Sequence, residues 1–512
     1  MMEKELAGPG EKRARGVLIG TIALVALGLV MMTALGRYTF LWKTAVIPVL
    51  LVAALVSRRF YRFIDDWSVY LAFILLFDFL RGFVFALVSS SDLPVYMGYV
   101  IDWEKTLCAG HVLPVLFQQW RGALPDPGPV DELFTLVHGS HFAFFLVFGM
   151  AVWFLRGAEF RKYALAVTLL MYAALIGYLL VPTVPPWMAA RDFAMLPHIH
   201  HVTAQIYNLE VPTLQEVFDI NPIAAMPSLH AGVPTLCALI GLYHFGKAAW
   251  FMPVYAALVG IAIIYLGEHY FVDVVAGAVL AGLIFVAVYH AGNRLQWLGW
   301  PAMPVKPILL SVLLLTAAEG IGHWTVSIAK PWRVTPSFAQ RELVGKSDMA
   351  DYYLGRLAYD AGDFRDARRH FARAERTLPR QSQRLKAAVW TARSAYYQQD
   401  YAGAIQALEP RREEGLPSEA LTLLAVAYLQ ADRRGEGMTL LHRLASESDA
   451  DPEPLYWLTR YQYLQNEVSR SDVMNIVERM RQFPATLKVD QLRKSLVTLV
   501  GAGAETTAAL AD

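Results

Sequence analysis

The chain has 512 residues, a formal net charge of +1 and a hydrophobic fraction of 56%, above the globular norm of about 45–50%. That length allows two or three domains, and no basic stripe with interleaved aromatics argues for a nucleic-acid partner. The two cysteines, Cys108 and Cys237, fall in different segments, so neither a disulfide framework nor a cysteine metal site can be built from them.

Hydrophobicity is unevenly spread. Up to about residue 329 the sequence is a succession of apolar runs, and beyond it charges recur every few residues. The expected fold is all-α: a polytopic transmembrane helix bundle followed by a soluble α-solenoid. Residues 1–16 are polar and basic, with Lys4, Lys12, Arg13 and Arg15. Residues 17–35 are then apolar for long enough to cross about 30 Å of hydrocarbon. No clear cleavage site follows, so the run reads as an uncleaved first helix. Further spans are expected at 44–57, 67–89, 133–155, 163–181, 227–245, 250–266, 271–290 and 307–328. The short second span would tilt or thin the bilayer.

Basic residues in short loops set the orientation. With a cytoplasmic N-terminus, Arg58, Arg59, Arg62, Arg156, Arg161, Lys162, Lys247, Arg294 and Lys306 all fall inside. The opposite loops hold Asp92, Asp102, Glu104, Asp126, Asp131 and Glu132. Residues 95–120 and 182–225 are too broken by proline and polar residues to span. They are expected to lie at the outer interface, with Trp103, Trp120 and Trp187 at headgroup level. The expected location is a bacterial inner membrane. A span at 307–328 puts the solenoid outside, whereas a re-entrant segment around Glu319 would leave it in the cytoplasm.

Two polar stretches interrupt the apolar runs: Ala225-Met226-Pro227-Ser228-Leu229-His230-Ala231-Gly232 and Gly267-Glu268-His269-Tyr270-Phe271-Val272-Asp273. Ionisable side chains at membrane helix ends are costly and are functional candidates by default. His269 and Asp273 are four apart, on one helical face, where a carboxylate fixes the imidazole tautomer. His230 follows Pro-Ser at a helix start, whose free N–H groups face an anion. The set reads as a nucleophile, its orienter, a second acid/base and an anion cradle, all on the outer face. Its bland alternative is a structural His–Asp pair closing two helices.

These stretches resemble the second and third signatures of the type 2 phosphatidic acid phosphatase superfamily. They are closer still to its inositol phosphorylceramide synthase branch, the aureobasidin target of fungi. That branch has Pro-Ser-Leu-His followed about forty residues on by His-Tyr-Phe-Val-Asp. Upstream, Pro182-Thr183-Val184-Pro185-Pro186-Trp187 is similar to its Pro-x-x-Pro-Pro-Trp. The resemblance covers roughly residues 65–290 and implies a six-helix phosphatase/transferase core working without a metal or other cofactor. It makes His269 the residue that becomes a phosphohistidine, Asp273 its support and His230 the proton donor to the leaving oxygen. Ser228 and nearby N–H groups would hold phosphate oxygens.

The superfamily's Lys and Arg are missing from Pro182–Trp187, and Ala262-Ile263 stand where its Ser-Arg would fall. A site with fewer cations suits a phosphodiester better than a monoester dianion. Arg191, Arg81, Lys105 and His141 are candidates to supply charge from elsewhere, His141 and Arg191 as phosphate contacts. Arg81 lies inside a span, costly unless it faces protein or substrate; its bland alternative is an intramembrane pair with Asp78. His138 and His141 share a helical face. Asp102, Trp187 and Glu268 complete the substrate-binding candidates; Glu268 stands where the branch often has a histidine, and either influences acceptor choice or is a solvated helix-end carboxylate. The trio His198, His200 and His201 lacks zinc-site spacing.

From about residue 349, Leu354-Gly355, Phe364, Ala367, Phe371, Ala374 and Pro379 fall at tetratricopeptide spacing. A second copy runs through Ala392, Tyr401, Ala404 and Leu408. The expected division is 1–66 N-terminal transmembrane helices, 67–295 catalytic membrane domain, 296–344 last span and linker, 345–500 solenoid and 501–512 tail. The reading implied by the resemblance is a lipid phosphotransferase moving a phosphoinositol-like headgroup onto a lipid alcohol such as ceramide. Its rivals are a lipid phosphate or polyprenyl diphosphate phosphatase, and a membrane scaffold with a vestigial site. The expected partners are membrane lipids, with a protein on the solenoid as a further candidate.

Overall fold

The computed structural model describes residues 16–17, 19–21, 46–91, 93–122, 127–206, 221–291, 307–328, 333–447, 451–483 and 487–501. Most of the expected first span therefore lies outside the described residues, with Lys4, Lys12, Arg13, Arg15, Asp92, Asp126, Arg294, Lys306 and the tail from 502. The chain divides into two compact units, residues 1–342 and 343–512.

The first unit is helical: α1 (Ile47–Val56), α2 (Phe60–Ser90), α3 (Gly98–Leu107), α4 (Leu113–Arg121), α5 (Pro129–Leu155), α6 (Phe160–Leu180), α7 (Pro186–Arg191), α8 (Val202–Ile206), α9 (Leu229–Phe245), α10 (Phe251–Tyr265), α11 (Phe271–Phe285) and α12 (Pro307–Ile328). Five stretches, Phe60–Ser90, Pro129–Leu155, Gly157–Leu180, Leu229–Ala249 and Phe271–His290, are long and apolar enough to cross a membrane. This is a multi-pass membrane protein.

The helix expected at 67–89 starts instead at Phe60. Its extra turns carry Asp66, which would be costly in an apolar bundle if left bare. Here Asp66 accepts from Trp153 Nε1 at 2.9 Å and pairs with Arg62 at 3.4 Å and Arg161 at 3.3 Å. Those charges lock together one end of α2, α5 and α6. The histidines lie at the other end.

Helix α12 is one continuous run of 22 residues, about 33 Å at 1.5 Å per residue. Trp324 stacks on Phe83 at 4.8 Å, and a Cβ on Gly322 would meet Phe79. Contacts that advance together along both chains make α12 parallel to α2. Beyond it, Glu342 Oε2 accepts from Gly98 N at 2.7 Å, and Phe338 packs on Phe193 at 5.4 Å.

In the second unit, successive helices α13 (Ala350–Asp360), α14 (Phe364–Thr377), α15 (Gln381–Tyr397), α16 (Tyr401–Leu408), α17 (Ser418–Gln430), α18 (Arg434–Glu447), α19 (Glu453–Leu464), α20 (Arg470–Arg479) and α21 (Leu487–Gly501) pack each mainly on its neighbour. Asp363 and Asp400 cap α14 and α16 through the N–H groups of Asp366 and Gly403, both at 2.9 Å. Gly355 lies against the Phe371 ring, where a Cβ would approach to 2.8 Å. Such nearest-neighbour stacking is consistent with an α-solenoid.

Candidate active site

Three short extended segments frame the site before any imidazole enters it. Tyr96 N donates to Pro182 O at 2.8 Å, Val184 N to Tyr96 O at 3.0 Å, and Thr183 N to Ile223 O at 2.8 Å. Proline has no N–H, so Thr183 and Val184 make these bonds for the Pro-x-x-Pro-Pro-Trp segment. Pro186 then occupies the first turn of α7, a position that needs no donor.

The two motif stretches meet where α9 and α11 cross. Ser228 N donates to Asp273 O at 3.1 Å, and Ser228 Oγ caps α9 by accepting from Ala231 N at 3.4 Å. The close approach depends on two glycines. A Cβ on Gly232 would come within 3.0 Å of Gly277 O, and one on Gly277 would run into the Ser228 carbonyl.

At this crossing His230 Nδ1 lies 2.8 Å from His269 Nε2. On the other edge of the ring, His269 Nδ1 faces Asp273 Oδ2 at 3.4 Å. Asp273 is wholly buried and His269 is 5% exposed. Asp273 Oδ2 also accepts from Tyr270 N at 2.9 Å, closing a capping box at the start of α11. That approach falls short of a hydrogen bond, yet a carboxylate on this edge favours a proton on Nδ1, which would leave Nε2 bare towards His230. His230 Nδ1–H is then the donor towards it.

Helix α5 brings two more imidazoles. His138 and His141 are buried, with ring centres 4.9 and 4.5 Å from that of His230. His141 Nδ1 contacts the His138 carbonyl. Neither ring nitrogen of His138 has a hydrogen-bond partner among the described residues. Ligand atoms of His138, His141 and His230 lie within 4.8 Å of one another, a grouping that could also hold a metal ion. His138 belongs with His141 by the three-residue spacing that puts both on one helical face.

Arg81 enters from α2. Its Nε is buried without a hydrogen-bond partner among the described residues, and its charge reaches His230 and Tyr178. Its carbonyl accepts from Asn221 Nδ2 at 3.3 Å. Ala262 and Ile263, at the place of the missing cation, are fully buried in α10.

The remaining candidates are placed differently. Arg191 pairs with Asp192 at 2.7 Å and lies over the Trp187 ring at 4.6 Å. Trp187, expected at the bilayer interface, is instead buried, 3% exposed, stacked on His201 at 4.3 Å; Trp103 and Trp120 are exposed. Glu268 is engaged rather than solvated: His201 Nε2 lies 3.1 Å from its Oε1, and the Thr203 hydroxyl donates to it. Burial works against its charge, but His201 and Thr203 hold the carboxyl down to about 2. His201 thus serves Glu268, while His198 and His200 pack on each other at 4.3 Å. Asp102 and Lys105 are exposed on α3.

Glu104 had no local sign of a role. It is wholly buried, and its Oε1 and Oε2 accept from Leu113 N at 3.2 Å and Val272 N at 3.1 Å. One carboxylate therefore caps both α4 and α11, steadying the turn that carries His269. Burial raises its pKa, against the lowering pull of these N–H groups.

Comparison with known proteins finds similarity over part of the chain. Residues 121–287 match the model of the PAP2 superfamily. A 61-residue stretch is 43% identical to the inositol phosphorylceramide synthase catalytic subunit of Saccharomyces cerevisiae. That stretch is 12% of this chain and 15% of the relative. No solved structure matches the chain.

Proposed function

We propose that the chain, whose PAP2-superfamily domain over residues 121–287 holds clustered histidines suited to a phosphatase or phosphotransferase active site, moves a phospho-headgroup from a phosphodiester lipid to a lipid alcohol through a phosphohistidine on His269. What carries this reading is the ordered row Asp273–His269–His230, with contacts of 3.4 and 2.8 Å. His269 Nε2 attacks phosphorus, the bond from phosphorus to the diacylglycerol oxygen breaks, and His230 gives that oxygen its proton. The acceptor hydroxyl then returns a proton to His230 as its oxygen displaces the imidazole. Ser228 and the first N–H groups of α9 face the phosphate oxygens.

The cation comes from Arg81. A guanidinium with a buried, unpartnered N–H near His230 suits the single negative charge of a phosphodiester. Arg191 is already paired with Asp192. The short local identity to the yeast synthase subunit supports phosphoinositol as the headgroup and ceramide as an acceptor class. Six helices, α2, α5, α6, α9, α10 and α11, form the catalytic core, with the site on the extracytoplasmic side of a bacterial inner membrane. The parallel course of α12 and α2 supports an extracytoplasmic tetratricopeptide-like solenoid that recruits a protein partner.

Purified protein given headgroup-labelled phosphatidylinositol, with and without ceramide, tests this reading. Transfer predicts a new labelled lipid that requires ceramide and an acid-labile labelled enzyme that His269→Ala lacks. Release of water-soluble label, unchanged by ceramide, would assign hydrolysis instead.

A further inference from the structure

Beside the histidines, α9, α10 and α11 leave a cavity of about 580 Å³, within the about 300–1,000 Å³ usual for small-molecule sites. Small residues hollow it out: Ala238 on α9, Ala256, Ala257 and Gly260 on α10, and Ala278 on α11. Thr235 is the polar side chain in its wall, and its hydroxyl donates to Ala231 O at 2.7 Å. The wall therefore offers nothing to a polar guest, which would lose its hydration without compensation.

Position narrows the occupant further. Ala231, in the wall, adjoins His230; Phe271 and Val274 flank Asp273. Along α9 the lining runs from Ala231 to Leu242, about 16 Å at 1.5 Å per residue. That is close to half of a hydrocarbon core about 30 Å thick. The cavity starts at the level of the site and descends through about one leaflet.

We propose that this slot seats one hydrocarbon chain of the lipid whose phosphate reaches His269, an assignment that rests on the transfer reading above. It gives the site a chain-length preference. A chain too short to reach past Ala238 leaves the lower slot unfilled and forgoes the packing contacts there, which are what the slot offers over a bilayer as apolar as its wall. A second membrane helix is the rival occupant, but it would close to substrate a slot whose wall reaches Ala231, next to His230, and Val274, next to Asp273.

The test uses the full chain in proteoliposomes and a phosphatidylinositol with a photoreactive diazirine at the end of one palmitoyl chain. With His269→Ala protein, which reads binding apart from chemistry, label should concentrate on peptides of α9, α10 and α11. Ala257→Phe and Ala278→Phe, by overfilling the slot, should each lower it about tenfold, and Val254→Phe, at a residue 59% exposed outside the slot, should leave it unchanged. In the wild-type chain the same two fillings should slow turnover of dipalmitoyl but not dioctanoyl phosphatidylinositol. Label spread evenly over the lipid-facing helices, label insensitive to both fillings, or equal labelling by a diazirine fatty alcohol without a phosphate would overturn the slot. Equal turnover of long and short chains would do the same. Label that is confined and filling-sensitive, without any lipid product, keeps the slot and overturns the transfer reading.

Discussion

His230 Nδ1 and His269 Nε2 stand 2.8 Å apart, so on the transfer reading proposed above the proton donor and the nucleophile occupy each other in the resting site. A phosphoryl group must enter between them, which places the two imidazoles on opposite sides of phosphorus, as in-line displacement requires. The two histidines are then not interchangeable. His269→Ala should abolish both the labelled enzyme and turnover. His230→Ala should lower turnover by about 10²–10⁴ yet still permit labelling from a donor whose leaving group needs no proton, such as a nitrophenyl phosphodiester. Rapid-quench labelling checks this. Loss of labelling in His230→Ala with that donor would make His230 the nucleophile.

Arg81 Nε is a buried donor with no partner among the described residues, a costly state unless an anion completes it. Arg81→Gln should lower turnover of phosphodiester lipid by about 10–100-fold, the loss of one charge-assisted contact of about 1.5–3 kcal/mol. Arg81→Lys should restore little, since a compact ammonium does not reproduce the planar fork. Steady-state kinetics on detergent-purified variants decide it. A fully active Arg81→Gln protein would return the phosphate contact to another group.

Much of this architecture is legible in the sequence because membrane spans and helix-end motifs are local signals. The apolar runs place α5, α6, α9 and α11, and the four-residue spacing puts Asp273 beside His269. Arg81 stands out because charge inside an apolar run is rare. What stays hidden depends on distant partners. Glu104 looks like one more outer-loop acid, yet its oxygens meet Val272 N, 168 residues away. Glu268 looks like a solvated helix-end carboxylate until His201 and Thr203 are brought to it. Trp187 has the amphipathic character of an interfacial residue, but the His201 imidazole stacks on it and it is buried. Asp66 escapes a span prediction because its compensation comes from Trp153 and Arg161 on two other helices.

The Glu268 pair gives a pH signature. Held down to about 2 against an ordinary 4.5, the folded carboxyl binds a proton later on acidification than the unfolded one does. Its contribution to stability is complete above about pH 4.5 and disappears as the pH falls through about 2. Glu268→Gln should therefore lower the thermal midpoint of the detergent-solubilised protein at about pH 6, and the gap should narrow by about pH 3. A gap that stays constant across that range would show that the carboxylate's charge does not matter to the fold.

Gly277 is where backbone geometry becomes chemistry. A Cβ there would strike the carbonyl of Ser228, the residue that caps α9 and begins the turn to His230. The carbonyl cannot rotate aside as a side chain could, because it accepts from Gly232 N at 2.9 Å. Gly277→Ala should force α9 and α11 apart by a few tenths of an ångström or more and cost about 1–3 kcal/mol, as overpacking does. The first consequence is a lengthened His230–His269 contact, so turnover should fall at least about tenfold while the protein still inserts and purifies as a monodisperse species. Gly282→Ala, five residues further along the same helix with open space around it, should be silent in both measurements. Equal activity in the two alanine variants would mean that this helix crossing does not set the distance between His230 and His269.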